Sequence, residues 1–239
     1  RCRLGLTATL VREDGREGEV FSLIGPKRYE ASWKDMESQG WIAPAHCVEV
    51  RVDLPASDRL VYATAEDADR YRLAASSPVK LEAVRRLLAR HRDEQALVIG
   101  QFVDQLEELG DLLDAPVLTG RTSPARREEL YAAFRAGRLR TLVVSKVANF
   151  SVDLPSATVA VQVSGSFGSR QEEAQRLGRL LRPSPDGRQA TFYTVVARET
   201  VDASFAAKRQ RFLAEQGYAY SIEDASELPP VVVDPEGQD

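Results

Sequence analysis

The chain has 239 residues, 43% hydrophobic and 28% charged, the make-up of a globular protein long enough to bury a substantial core. Its formal net charge of -4 at pH 7 excludes a strongly basic nucleic-acid binder but leaves room for a local basic cleft. Cys2, Cys47, His46 and His91 stand apart without metal-ligand spacing, and no apolar run or leader pattern reaches membrane-spanning or secretory form, which gives no support to a zinc site or a disulfide framework and leads us to expect a soluble, intracellular protein.

Residues 1–10 (RCRLGLTATL) read as a short strand that begins abruptly, and the chain opens on Arg rather than Met. This segment is expected to be the edge of a preceding sheet in a longer protein. A charged turn follows at 11–15, and 21–29 and 33–44 carry the aromatic and Gly/Pro punctuation of a connector. Residues 47–54 (CVEVRVDL) alternate apolar and charged side chains and predict a strand, while 57–75 show helical spacing in a heavily charged stretch. Residues 77–91 predict an amphipathic helix capped by Ser77, with Pro78 in its first turn. Beyond it the pattern becomes regular. Strand 96–100, helix 103–113, strand 116–118, helix 123–136, strands 139–145 and 158–164, helix 169–181, strand 190–196 and helix 201–216 follow in turn. This alternation predicts an α/β fold, a parallel sheet flanked by helices on both faces. Residues 225–239 are acidic and contain Pro, and are expected to form a flexible tail or an interaction segment.

Functional groups in such a fold collect at the carboxyl ends of the strands. Gly100-Gln101, Thr119-Gly120 and Ser145 all fall there. The most specific stretch is residues 175–182, QRLGRLLR. At about 100° per residue, Gln175, Arg179 and Arg182 share one stripe, and Leu177 and Leu181 share the opposite side with Ala174. Ser169 and Glu172 form a capping box at the start of this helix, and Pro183 and Pro185 stop it. Two permanently charged guanidiniums one turn apart can fork onto phosphate oxygens, with Gln175 able to orient a water. In phosphoryl transfer such a finger contributes about 10³ to 10⁵ in rate. On spacing alone, an exposed arginine-rich helix remains an equal alternative. A phosphate-cradling GxxxxGK[ST] loop is missing, since the chain contains no Gly-Lys pair. Fingers here would have to reach a nucleotide held by another domain.

The motifs and their order resemble the C-terminal half of the XPB-type DNA repair helicases of superfamily 2. LGLTATLVREDG at 4–15 looks like helicase motif III joined to the family's Arg-Glu-Asp element. GPKRYEASWKDMESQGWIA at 25–43 matches the stretch that links the two lobes. SKVANFSVDLPSA at 145–157 is similar to motif V, GSRQEEAQRLGRLLR at 168–182 to motif VI, and KRQRFLAEQGY at 208–218 to the family's closing helix. The resemblance implies a RecA-like, P-loop NTPase-like helicase lobe without its own Walker A. Residues 1–24 would then be an edge of the first lobe, 25–76 the connector with a thumb inside 58–76, 77–224 the RecA-like lobe, and 225–239 the tail.

It further implies that Arg179 and Arg182 contact the ATP phosphates, with Gln175 near the attacking water and Gly178 in the same motif. Asp153 would sense the nucleotide, and Thr7 and Thr9 would couple the lobes. Ser145, Thr119, Gly120, Gln101 and Arg127 would contact the DNA backbone, and Arg12, Glu13 and Asp14 would act where the duplex opens. ATP and Mg²⁺ would be held mainly by the first lobe, and no metal is expected on this one. The implied function is the C-terminal lobe of an ATP-dependent 3′–5′ DNA helicase or double-stranded DNA translocase in nucleotide excision repair, inactive by itself. Its implied partners are DNA, its own N-terminal helicase lobe and a repair nuclease, at the nucleoid of a prokaryotic cytoplasm. The alternative is a non-catalytic RecA-like module that binds DNA or a nuclease.

Overall fold

The computed structural model describes residues 3–5, 17–29, 35, 38–39, 45–145, 157–165, 189–215 and 217–231. The strands are β1 (Ala45–Val52), β2 (Ala96–Gly100), β3 (Val117–Leu118), β4 (Thr141–Ser145), β5 (Val159–Gln162), β6 (Ala190–Ala197) and β7 (Ala219–Asp224). The described helices are α1 (Glu17–Ile24), α2 (Ala56–Thr64), α3 (Asp67–Ala75), α4 (Pro78–Arg90), α5 (Val103–Leu113), α6 (Pro124–Arg135) and α7 (Val201–Glu215). The strands form one sheet in the order β3-β4-β2-β5-β6-β1-β7, and every pairing is parallel. This is the architecture that alternating strands and helices predict.

Both faces of the central strands are apolar, as a sheet covered on two sides requires. Val98, Val143 and Val161 point to one face, where they meet Val84 and Leu87 of α4 and Leu106 and Leu109 of α5. Their strand neighbours Leu97, Ile99, Leu142 and Val144 point to the other, against Leu130 and Phe134 of α6 and Leu213 of α7. Successive residues of one strand thus feed two separate cores.

Several boundaries have visible local causes. The Ser123 hydroxyl accepts from the Arg126 N–H and so caps α6, with Pro124 in its first turn. Asp114 ends α5 in the left-handed conformation, at φ 47°. Ser77 departs from expectation: it precedes α4 without a side-chain capping bond, and its hydroxyl donates instead to Asp58 Oδ2 at 3.1 Å. Residues 21–24, expected as connector, belong to α1, which stops at Gly25 with φ 114° ahead of Pro26. The helical stretch at 57–75 is two helices that part at Ala65. β7 is an additional strand, pairing with β1 from the edge. Of the stretch expected as a tail, Ala225–Glu227 form a 3₁₀ turn and Leu228 is buried in the core beneath them, whereas residues 232–239 lie outside the described residues.

One charged group sits at the meeting point of four elements. Lys80, in the first turn of α4, is fully buried. Its three ammonium protons go to Val163 O at 2.9 Å, Val195 O at 2.8 Å and Asp202 Oδ2 at 2.6 Å. The side chain therefore has no unsatisfied donor. The same Asp202 oxygen accepts from the Ala197 N–H at 3.1 Å. Burial, the largest influence, lowers the Lys80 pKa below its ordinary 10.5, while the Asp202 carboxylate pulls it back up.

Asp202→Ala leaves this ammonium buried without its counter-ion, and is expected to cost about 3–5 kcal/mol in urea unfolding. Lys80→Met combined with it should cost less than the sum of the two single changes. With the carboxylate gone, native Lys80 loses its proton below 10.5, where the unfolded chain still holds it. The stability of Asp202→Ala should therefore climb as pH rises toward that value, which pH-dependent unfolding measures.

Candidate functional site

The carboxyl edge of the sheet carries the polar residues. Gly100 ends β2 where side-chain space is absent: a Cβ there would stand 2.8 Å from Leu106 Cδ2 and 3.0 Å from Ser164 Oγ. Glycine thus allows the next N–H, that of Gln101, to donate to Ser164 Oγ at 2.8 Å. The Ser164 hydroxyl donates onward to Gln105 Oε1 at 3.1 Å, and Gln105 Nε2 donates to Ala75 O at 2.6 Å. One chain of hydrogen bonds therefore links the ends of β2 and β5 to α5 and α3. Gln101 Oε1 is buried and has no hydrogen-bond partner among the described residues.

The turn after β3 is built from its own side chains. Thr119 N–H donates to Thr122 Oγ1 at 3.0 Å, and Arg121 N–H donates to Thr119 Oγ1 at 3.2 Å. Beneath them, the Arg127 guanidinium reaches Thr119 O and Thr122 O, each at 3.4 Å. These threonines hold the loop in the manner of short polar side chains that mimic backbone. Gly120 and Arg121 stand exposed at its tip. Ser145 ends β4 and is 3% exposed, and its hydroxyl has no partner among the described residues.

Register brings these groups together. Gly100 pairs with Ser145 and Leu118 with Val144, so Thr119, Ser145 and Gln101 follow three neighbouring strands at one level. The row is uncharged, with the cations Arg121 and Arg127 beside it. Its hydroxyl, amide and main-chain N–H groups suit single hydrogen bonds to phosphate oxygens. Among the described residues no group of three or more His, Cys, Asp or Glu side chains is placed to hold a metal ion. No described helix is long and apolar enough to cross a membrane.

Gln101, Thr119, Gly120, Arg127 and Ser145 are thus placed along one edge. Thr7, Thr9, Arg12, Glu13, Asp14, Asp153, Gln175, Gly178, Arg179 and Arg182 lie outside the described residues. Sequence reasoning missed Lys80, Tyr71, Gln105 and Ser164. For Lys80 a signal existed, since it shares the buried stripe of α4 with Ala83, Val84 and Leu87, where a lysine is out of place unless paired. Nothing in the charged stretch 57–75 marks Tyr71 as buried.

Comparison with known proteins supplies the family. The description ERCC3/RAD25/XPB C-terminal helicase matches residues 36–229. A Mycobacterium tuberculosis protein named DNA 3'-5' helicase XPB is 66% identical over 226 residues, covering 95% of this chain and 41% of that protein. Its namesake in Kineococcus radiotolerans is 65% identical over 237 residues, covering 99% of this chain and 42% of that protein. The chain thus spans about two fifths of the length of these relatives. Among solved structures, Saccharomyces cerevisiae Dbp5 bound to RNA and ADP BeF3 is similar with a TM-score of 0.61 at 13% identity, over 91% of this chain and 50% of that one. That likeness concerns the fold, which is RecA-like. By the extent of the family match and its identity to these two relatives, the chain belongs to the XPB family of helicases and is its C-terminal helicase domain.

Proposed function

We propose that this domain is the second motor lobe of an ATP-dependent DNA helicase or double-stranded DNA translocase that moves 3′ to 5′ and serves nucleotide excision repair. The observation that carries the reading is the uncharged row Gln101, Thr119-Gly120 and Ser145 along neighbouring strand ends, in which the Ser145 hydroxyl is a donor without a partner among the described residues. These groups contact successive phosphates of the tracking strand without reading its bases. Arg127 acts indirectly, bracing the Thr119–Thr122 turn through its carbonyls.

In this reading ATP and its Mg²⁺ are held mainly by the first lobe. Closure of the lobes brings Arg179 and Arg182 to the phosphates, where they neutralise charge developing on the transferred group. Gln175 stands near the attacking water, Gly178 belongs to the same ATP-binding and coupling set, and Asp153 senses the nucleotide. Thr7 and Thr9 couple the lobes, and Arg12, Glu13 and Asp14 act where the duplex parts. Each closure advances the phosphate contacts along one strand. The partners are DNA, the first lobe and a repair nuclease, at the bacterial nucleoid. The names of the two bacterial relatives support the helicase activity and its direction.

In the full-length protein, Arg179→Ala and Arg182→Ala should each lower DNA-stimulated ATP hydrolysis by about 10³-fold or more. An unchanged rate would favour the non-catalytic DNA- or nuclease-binding module instead. Ser145→Ala removes a buried hydroxyl without a described partner, so no hydrogen bond among the described residues is lost and the variant should lose no more than about 1 kcal/mol in unfolding. It should weaken DNA binding to a similar extent on every sequence tested by fluorescence anisotropy. A loss confined to particular sequences would contradict backbone contact.

A further inference from the structure

Tyr71 on α3 is 4% exposed, and its hydroxyl meets both polar groups of one residue. It accepts from the Gly165 N–H at 2.9 Å and donates to the Gly165 carbonyl. A single phenol that donates to and accepts from the same residue fixes both the place and the direction of that segment of backbone. The residue itself is closely enclosed: a Cβ on Gly165 would lie 3.0 Å from Gln162 Nε2 and 3.3 Å from Arg209 Nη1.

The ring is fixed as well. It lies 5.9 Å from Phe102, in the loop after β2, and 5.2 Å edge-on from Phe205 of α7. Along the same helix, Arg72 pairs with Asp104 and lies over the Phe102 ring, and Ala75 O accepts from Gln105. Helix α3 is therefore attached at its middle, through Tyr71, to the chain leaving β5, and through Tyr71, Arg72 and Ala75 to Phe102 and the first turn of α5, next to Gln101 of the polar row. Two residues before Gly165, the Val163 carbonyl is held by Lys80. Gly165 precedes the stretch 168–182 in sequence.

We propose that Tyr71 is a positioning residue of the motor. It sets the point from which the chain departs toward Gln175, Arg179 and Arg182, and through α3 it ties that point to the strand ends that contact DNA. The inference rests on the finger role of these arginines. Tyr71 touches neither nucleotide nor DNA, and acts through Gly165.

The test uses the full-length protein. Tyr71→Phe keeps the ring in its pocket and removes only the hydroxyl. Tyr193→Phe is the matched control: it is another buried tyrosine, whose hydroxyl bonds His91 Nε2 at 2.7 Å, beside the C-terminal end of α4 and away from the polar row. With saturating DNA, Tyr71→Phe should lower kcat for ATP hydrolysis by about 10- to 100-fold, the loss expected for a misplaced catalytic group. KM for ATP should stay within about twofold, because the interaction lost is one made in the transition state. Tyr193→Phe should keep the parent kcat, whatever its loss in Tm. A Tyr71→Phe kcat within twofold of the parent, or kcat losses in the two variants that simply follow their Tm, would overturn the proposal. Arg182→Ala run alongside separates the two ideas: if it too hydrolyses ATP like the parent, the finger reading has failed, and if it alone is inactive, only the positioning role has.

Discussion

A lysine ammonium without contact to water organises the working edge of this domain. Taking such a charge out of water is costly unless each of its donors is met. Lys80 meets that condition with two main-chain carbonyls and one carboxylate drawn from three other elements. The start of α4, the chain after β5, the last turns of β6 and the start of α7 cannot shift independently without leaving a proton unpaired. Hydrophobic packing holds the sheet to its helices, but it tolerates sliding; a saturated buried charge does not. The carboxyl edge at β5 and β6 is therefore tied to α4 and α7 by one group.

What that edge presents is modest in charge. Its strand ends carry serine, threonine, glutamine and glycine, residues that meet phosphate oxygens through single hydrogen bonds and discriminate little among bases. A motor that steps along a backbone needs grips of this kind, because a contact that held one sequence tightly would stall on it. In the proposed motor the strong positive charge is that of Arg179 and Arg182, of use only when a nucleotide is present. In that proposal, separating weak grips from strong charges would let one lobe bind DNA throughout a cycle while its effect on ATP depends on closure.

Much of this was legible in the sequence, for identifiable reasons. Helix α5 runs from Val103 to Leu113 as its spacing predicts, and α6 begins at a Ser-Pro pair whose capping chemistry is local. The strand ends at Gly100, Thr119 and Ser145 could be read because short apolar runs bounded by polar residues leave little freedom in an α/β pattern. β7 was not legible: as an edge strand reading AYSIED, it keeps one partner and half-exposed side chains, and lacks a buried strand's apolar run. The Ser77 cap misled because its hydroxyl was within reach of Asp58, a long-range competitor that no local rule contains. Tyr71 became visible only in three dimensions, since its partner lies 94 residues away in sequence; Lys80 left a signal in the apolar stripe of its helix, but its partners, up to 122 residues away, did not.

The most direct test of the division of labour between the lobes is a structure of the full-length protein with a transition-state mimic of ATP and a DNA duplex. The division predicts Arg179 and Arg182 nitrogens within about 2.7–2.9 Å of phosphate oxygens on a nucleotide otherwise held by the first lobe, with Thr119 and Ser145 against the backbone of a single strand. A triphosphate anchored wholly by residues of this domain, or a guanidinium pair turned away from the cleft, would contradict it.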